Sequence, residues 1–123
     1  VFYRVVAGHV IQTGDEEGAP ENGYPTVVGE FDAHEHVTGA VGLARSDDPD
    51  SGSTEIYICH APRPHLDGRY AVFGILTEGY DVLDRIGNVP VDEAWVGDEQ
   101  NIAFHRPTEP VTIERAFIEV RNR

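Results

Sequence analysis

Apolar residues fall in short runs along this chain, and most runs have the length and composition of strands. FYRVV (Phe2 to Val6) and HVIQ (His9 to Gln12) are rich in β-branched and aromatic residues. Ala7-Gly8 interrupts them, which predicts strand, tight turn, strand. Residues 13–30 are dense in Gly, Pro, Asn and acids and read as a long loop. VGLA (Val41 to Ala44) predicts a short strand before the polar stretch RSDDPDSGST. EIYICH (Glu55 to His60) and YAVFGIL (Tyr70 to Leu76) predict two more, joined by the turn-rich APRPHLDG. In EGYDVLDRIG, Tyr80, Val82 or Leu83, and Ile86 recur at helical spacing, and Gly87 is a C-cap signal. One helix is therefore expected over about residues 79–86. Residues 88–110 read mostly as loop, and VTIERAFIEV (Val111 to Val120) as a strong final strand. Several short strands with a single helix predict a mainly β chain built as a sheet-dominated barrel.

At 123 residues, without internal repeats, the chain is expected to form one domain over 1–123. Charge narrows the partners. Twenty-two Asp and Glu face nine basic residues, all Arg, for a net charge of −13. Such a field repels phosphate backbones and anionic lipid surfaces, which argues against nucleic-acid and membrane-surface binding. No apolar stretch approaches the ~18 residues of a membrane helix. The lone Cys59 cannot form an intrachain disulfide, so the fold rests on its core. There is no Met, so Val1 is not expected to be the natural start, and what precedes it stays open. The compartment stays open too, with the cytoplasm as default.

Common catalytic signatures are missing: the sequence has no P-loop, GxGxxG, CxxC, HExxH or GxSxG. Asp32-Ala-His34-Glu35-His36 could present two imidazoles to a metal, but no third ligand is dictated by spacing, and a solvated acidic turn is the expected reading. Strand alternation places Arg4 on one face with Phe2 and Val6, Gln12 with Val10, and Glu55 with Tyr57. Three strands could thus each project a polar group beside an apolar neighbour. Taken alone, Arg4 could equally be an edge-strand charge that blocks aggregation.

The order of motifs resembles one family. FYRVVAGHVIQTGD resembles the FHRVxxGFxxQGGD segment of the cyclophilin-type peptidyl-prolyl isomerases, VGLARSDDPDSGSTEIYI their bacterial-style LxMARxxxPxSxxSQFFI, and HLDGRYAVFGILTEGYDVLDRI their LDGxxxVFGxVxxGxDVxDxI. PVTIERAFI fits their last barrel strand. The resemblance implies a cyclophilin-like antiparallel β-barrel and an enzyme that turns Xaa-Pro bonds without cofactor or metal, assisting protein folding. It implies that Arg4 is catalytic and that Gln12 hydrogen-bonds the substrate backbone. Tyr57 and Leu66 would wall the proline pocket with Val10. Ala44 and Arg45 would end the strand whose backbone pairs with substrate, and Tyr70 holds a position that is His or Tyr in the family. Four positions depart from the pattern. His9 replaces a pocket phenylalanine, Glu55 stands where Gln is commonest, Thr13 breaks a Gly-Gly pair, and His65 sits where Trp or Phe often lies. Expected partners are proline-containing peptides or unfolded proteins, with weak or no binding of cyclosporin, the family's macrocyclic inhibitor. Neutral His9 suits a proline ring, so affinity is expected to fall with pH within about 5 to 8, where histidine ordinarily titrates. A catalytically weak module that binds proline-containing segments is the rival reading, favoured by His9 and Glu55. A barrel recruited to bind metal through His34 and His36 is a third. In the family a hairpin and a helix precede the segment that starts here at Phe2. Residues 1–123 are therefore expected to be an N-terminally incomplete domain, either poorly stable or paired edge to edge with another copy.

Overall fold

Val6 and Val10 face each other across a tight turn, and the hairpin that starts there organises the chain. The computed structural model describes residues 1–16, 21, 23–99 and 101–121. Strand β1 (Phe2–Val6) pairs antiparallel with β2 (Val10–Thr13). Gly8 sits in the turn at φ +72°, a backbone conformation that other residues adopt only at a cost. β4 (Ile56–Cys59) lies on the other edge of β2, β3 (Ala40–Leu43) on β4, and β5 (Val72–Ile75) on β3. The result is a five-stranded antiparallel sheet in the order β1-β2-β4-β3-β5. Every expected strand up to Ile75 is present, with ends shifted by one or two residues.

One irregularity changes the reading of β1. Phe2 pairs with Thr13 and Arg4 with Gln12, so β1 spends two steps where β2 spends one. This bulge at Tyr3 breaks strict alternation. Phe2 and Val5 consequently lie together in one core with Ile11 and Leu83, and Arg4 does not share a face with Phe2 as alternation predicts. The opposite face of the sheet carries a second cluster of Val10, Ala40, Tyr57 and Cys59, with Leu66, Tyr70 and Val72 packed against it. β2 is buried along its whole length because it is central in both senses.

Helix α1 (Tyr80–Gly87) covers the first core through Leu83 and Ile86. Of the expected helical stripe, Tyr80 and Val82 are exposed. Gly87 is the last helical residue rather than the cap, a place taken by Asn88. Its lack of a side chain has a packing reason: a Cβ there would collide with the imidazole of His60. That ring accepts from the Gly8 amide (2.9 Å) and reaches Asp84 (2.8 Å), tying the helix to the β1–β2 turn.

The segment from 88 to 110 is more structured than a loop. β6 (Val91–Asp92) pairs with β9 (Arg106–Pro107), and β7 (Trp95–Val96) with β8 (Ile102–Ala103). Two-residue ladders leave no periodic trace in a sequence. The expected final strand shows the reverse. The carbonyl of Val111 accepts the Phe2 amide (2.9 Å), but residues 112–120 join no ladder among the described residues. A strand needs a partner's hydrogen bonds, and here the apolar run meets none; Ile118 is 94% exposed. In the expected loop 13–30, residues 17–20 and 22 lie outside the described residues, and Val27 bridges to Gly52. No helix among the described residues is long and apolar enough to cross a membrane.

Candidate active site

The β1 bulge turns Tyr3 and Arg4 toward the face that carries Gln12. A chain of hydrogen bonds results. Arg4 Nη1 donates to Gln12 Oε1 (3.0 Å), Gln12 Nε2 donates to the Tyr3 hydroxyl (3.0 Å), and that hydroxyl donates to Glu55 Oε1 (2.6 Å). Arg4 Nε is held separately by the carbonyl of Ala103 on β8 (2.9 Å). The guanidinium lies 5.7 Å from the centre of the Phe104 ring, which also stacks on Tyr3. Two acceptors and an aromatic face thus immobilise the cation, and no described residue binds Nη2. Burial pulls the Arg4 pKa down from its ordinary value, the cost of placing an always-charged group in a partly dry site.

A groove of about 420 Å³ opens beside this cation. Val10, Tyr57 and Leu66 form its apolar wall, with Tyr70 meeting Tyr57 edge to face. His9 and His65 stack at one rim with centroids 5.8 Å apart. Burial first, then the charges of Arg4 and Arg63 and the nearby His65, lower the His9 pKa from 6.5 to about 4. Its Nδ1 is buried without a hydrogen-bond partner. The imidazole is therefore neutral across the ordinary range, and the titration expected at pH 5–8 moves below it. At the other end, Ala44 and Arg45 line the groove, and Arg45 lies between the rings of Phe31 (5.2 Å) and Tyr70 (4.7 Å) while donating to the carbonyls of Arg69 and Ser46. Cys59 pairs across from Val10 on the neighbouring strand, and burial lifts its thiol to about 11.

The structure brings together ten of the eleven residues singled out from the sequence: Arg4, Gln12, His9, Val10, Ala44, Arg45, Tyr57, His65, Leu66 and Tyr70 all line this groove. Glu55 does not. It accepts from the Tyr3 hydroxyl instead. Sequence reading missed Val96, Ile102 and Phe104, which close the groove from the β7–β8 side, and Tyr3, which the bulge brings in. A bulge leaves no sequence signal, and the β7–β8 residues are far from the motifs in the chain. The His34–His36 stretch divides: His34 is exposed, whereas His36 is fully buried, contrary to a solvated turn, and contacts Asp67 and Tyr57. No group of three or more His, Cys, Asp or Glu among the described residues could hold a metal ion.

Comparison with known proteins converges on one family. The family model described as cyclophilin type peptidyl-prolyl cis-trans isomerase/CLD matches residues 1–118. Peptidyl-prolyl cis-trans isomerase CYP23 of Arabidopsis thaliana is 35% identical over 121 residues, covering 91% of this chain and 50% of that protein. Human peptidyl-prolyl cis-trans isomerase-like 3 is 31% identical, covering 76% of this chain and 61% of its own length. Among solved structures, a cyclophilin-type peptidyl-prolyl cis-trans isomerase of Cryptosporidium parvum, crystallised in the presence of the dipeptide Ala-Pro, superposes with a TM-score of 0.70 at 22% identity. That superposition covers 89% of this chain and 67% of the other, and shows the shared fold. The chain spans about half to three-fifths of the length of these curated relatives.

Proposed function

The chain belongs to the cyclophilin-type peptidyl-prolyl cis-trans isomerases, and on that premise we propose that its groove catalyses rotation about Xaa-Pro bonds, with residues 1–123 acting as a single cyclophilin-like domain. The observation that carries the reading is the immobilised Arg4 guanidinium, with Nη2 uncommitted among the described residues, beside an apolar wall of Val10, Tyr57 and Leu66.

Rotation about a peptide bond faces a barrier of ~18–20 kcal/mol, because the nitrogen lone pair is delocalised into the carbonyl. As the bond twists, that conjugation breaks and the prolyl nitrogen becomes pyramidal and basic. A catalyst needs no nucleophile. It holds the ring, grips the flanking chain and offers a donor to the nitrogen that is stronger in the twisted state than in either planar one. Arg4 supplies the donor. Its Nε and Nη1 bonds fix the guanidinium plane before substrate arrives, so little reorganisation is needed at the moment of rotation. Gln12 spends its carbonyl on Arg4 and one amide hydrogen on Tyr3, which leaves the second amide hydrogen for a substrate carbonyl. The proline ring occupies the Val10–Tyr57–Leu66 pocket, with neutral His9 and His65 at its edge. Clients are proline-containing segments of unfolded proteins. Because His65 offers a smaller apolar face than an indole, cyclosporin binds weakly.

Exchange NMR on a short Ala-Pro peptide tests the assignment. Wild-type protein is expected to accelerate cis/trans exchange, and Arg4→Ala to lower that rate by about 10²–10³, equivalent to losing ~2–4 kcal/mol of stabilisation in a desolvated site. Arg4→Lys should recover little, since an ammonium cannot hold both acceptors in one plane. Peptide binding without exchange would select a catalytically weak binding module, and full activity in Arg4→Ala would remove Arg4 from the mechanism.

A further inference from the structure

His36 is buried in a place where a charged or polar ring is costly unless fully partnered, and it is fully partnered. Its Nδ1 lies 2.8 Å from Asp67 Oδ1, and its Nε2 lies 2.7 Å from the hydroxyl of Tyr57. The same Asp67 oxygen accepts the backbone amide of His36 (2.7 Å), and these bonds hold the Asp67 carboxyl below the usual carboxylate range. A carboxylate only accepts. Of the two tautomers of a singly protonated ring, only the one with its hydrogen on Nδ1 fits this carboxylate, and in it Nε2 is the acceptor for the Tyr57 hydroxyl. The tip of the Tyr57 side chain packs on Gly42, where any Cβ would collide with it. Tyr57 also lines the groove.

We propose that His36, held in one tautomer by Asp67, is a positioning residue that takes the hydroxyl hydrogen of Tyr57 and so makes this tyrosine present only an apolar ring to the pocket. The inference rests on the function proposed above and adds a selectivity to it: the pocket accepts a plain proline ring and disfavours one bearing a hydroxyl, because the donor that could greet it is turned away. Releasing the hydroxyl would put a polar group into a desolvated site or rotate the ring out of place.

Two measurements decide it. In the free, unmodified protein, nitrogen-15 NMR of His36 is expected to show a protonated Nδ1 and a bare Nε2; a protonated Nε2 in the neutral ring would overturn the proposal, whatever the variants do. Dissociation constants for an Ala-Pro peptide and its 4-hydroxyproline counterpart supply the second readout. Wild type is expected to favour proline by about tenfold, as one unpaired buried hydroxyl implies, and His36→Phe to narrow that preference to within about threefold. In a Tyr57→Phe background there is no hydroxyl to place, so adding His36→Phe should change affinity less than about twofold. An equal loss in both backgrounds would mean that His36 only fills space. If wild type binds the peptides without accelerating exchange, the isomerase assignment falls while the affinity pattern still decides the role of His36. If it binds neither peptide, the groove assignment falls and the proposed selectivity with it, and the tautomer alone decides where the hydroxyl hydrogen goes.

Discussion

Burial beside two guanidinium groups holds the imidazole of His9 neutral down to about pH 4, and this has consequences for both stability and binding. In the unfolded chain His9 titrates near 6.5, so between 6.5 and about 4 the unfolded state takes up a proton that the folded state refuses. The contribution to stability is complete above 6.5 and drains away as pH falls through that window. Acidic groups titrate there too, so the quantity to compare is the pH-dependence of urea unfolding in wild type and in His9→Phe. The variant is expected to lose less stability between pH 6.5 and 4; identical curves would show that His9 is not desolvated. Substrate affinity, by the same reasoning, is expected to be flat in His9 protonation from about pH 5 to 8 and to decline only in more acid solution.

At the scale of elements, the sheet has one core on each face, and α1 is the cover of the first. Leu83 is its buried anchor, in contact with the cluster of Phe2, Val5 and Ile11 that lies directly behind Arg4 and Gln12. Leu83→Ala is expected to cost about 2–5 kcal/mol in chemical denaturation, from lost transfer energy and the cavity left behind. Because no helix residue lines the groove, turnover per folded molecule should change less than about threefold, well short of the loss expected for Arg4→Ala. A large catalytic loss at full folding would mean that the β1 bulge depends on the helix. The bulge itself is the element that matters most for chemistry. It lets two consecutive residues, Tyr3 and Arg4, reach the groove side while Phe2 and Val5 both stay in the core. Strict alternation could have served only one of those needs.

Over the whole molecule the charge is one-sided. A net −13 on 123 residues leaves carboxylates in large excess over cations, and mutual repulsion opposes the compact state. Among the described residues, Arg106 with Glu16 is an exposed ion pair, and exposed pairs contribute about 0–1 kcal/mol. Added sodium chloride shortens the screening length from ~30 Å at 0.01 M to ~10 Å at 0.1 M. The melting temperature is therefore expected to rise across that range and to keep rising toward molar salt. A melting temperature that stays level or falls would show that the ion pairs outweigh the repulsion. The same field leaves Arg4 as a cation at the centre of an acidic molecule, fixed by neutral acceptors rather than by a carboxylate.

What the sequence determined by itself is local and strongly patterned. Runs such as FYRVV, EIYICH and YAVFGIL carry their β character in consecutive residues, and YDVLDRIG carries its helix in a 3.6-residue period, so their positions are legible without coordinates. The residues of the groove were legible for a different reason: they lie at fixed spacings inside the family's motifs, which keep Arg4, Gln12, Tyr57 and Leu66 recognisable. Tertiary structure decided whatever depends on a partner distant in the chain. Residues 111–120 have a strand's composition yet join no described ladder, because pairing is a property of two segments and not of one. The pairs Val91–Asp92 with Arg106–Pro107 and Trp95–Val96 with Ile102–Ala103 form for the converse reason, each segment meeting a neighbour once the chain folds back, with β9 also packed on β1. Glu55 is held by a tyrosine hydroxyl at 2.6 Å, which the bulge at Tyr3 brings to it, and does not line the groove. His36 became a buried anchor rather than a solvated charge because Asp67 and Tyr57, 31 and 21 residues away, close around it. Short-range periodicity is written into consecutive side chains, whereas desolvation and hydrogen-bond partnership exist only once the chain has folded back on itself.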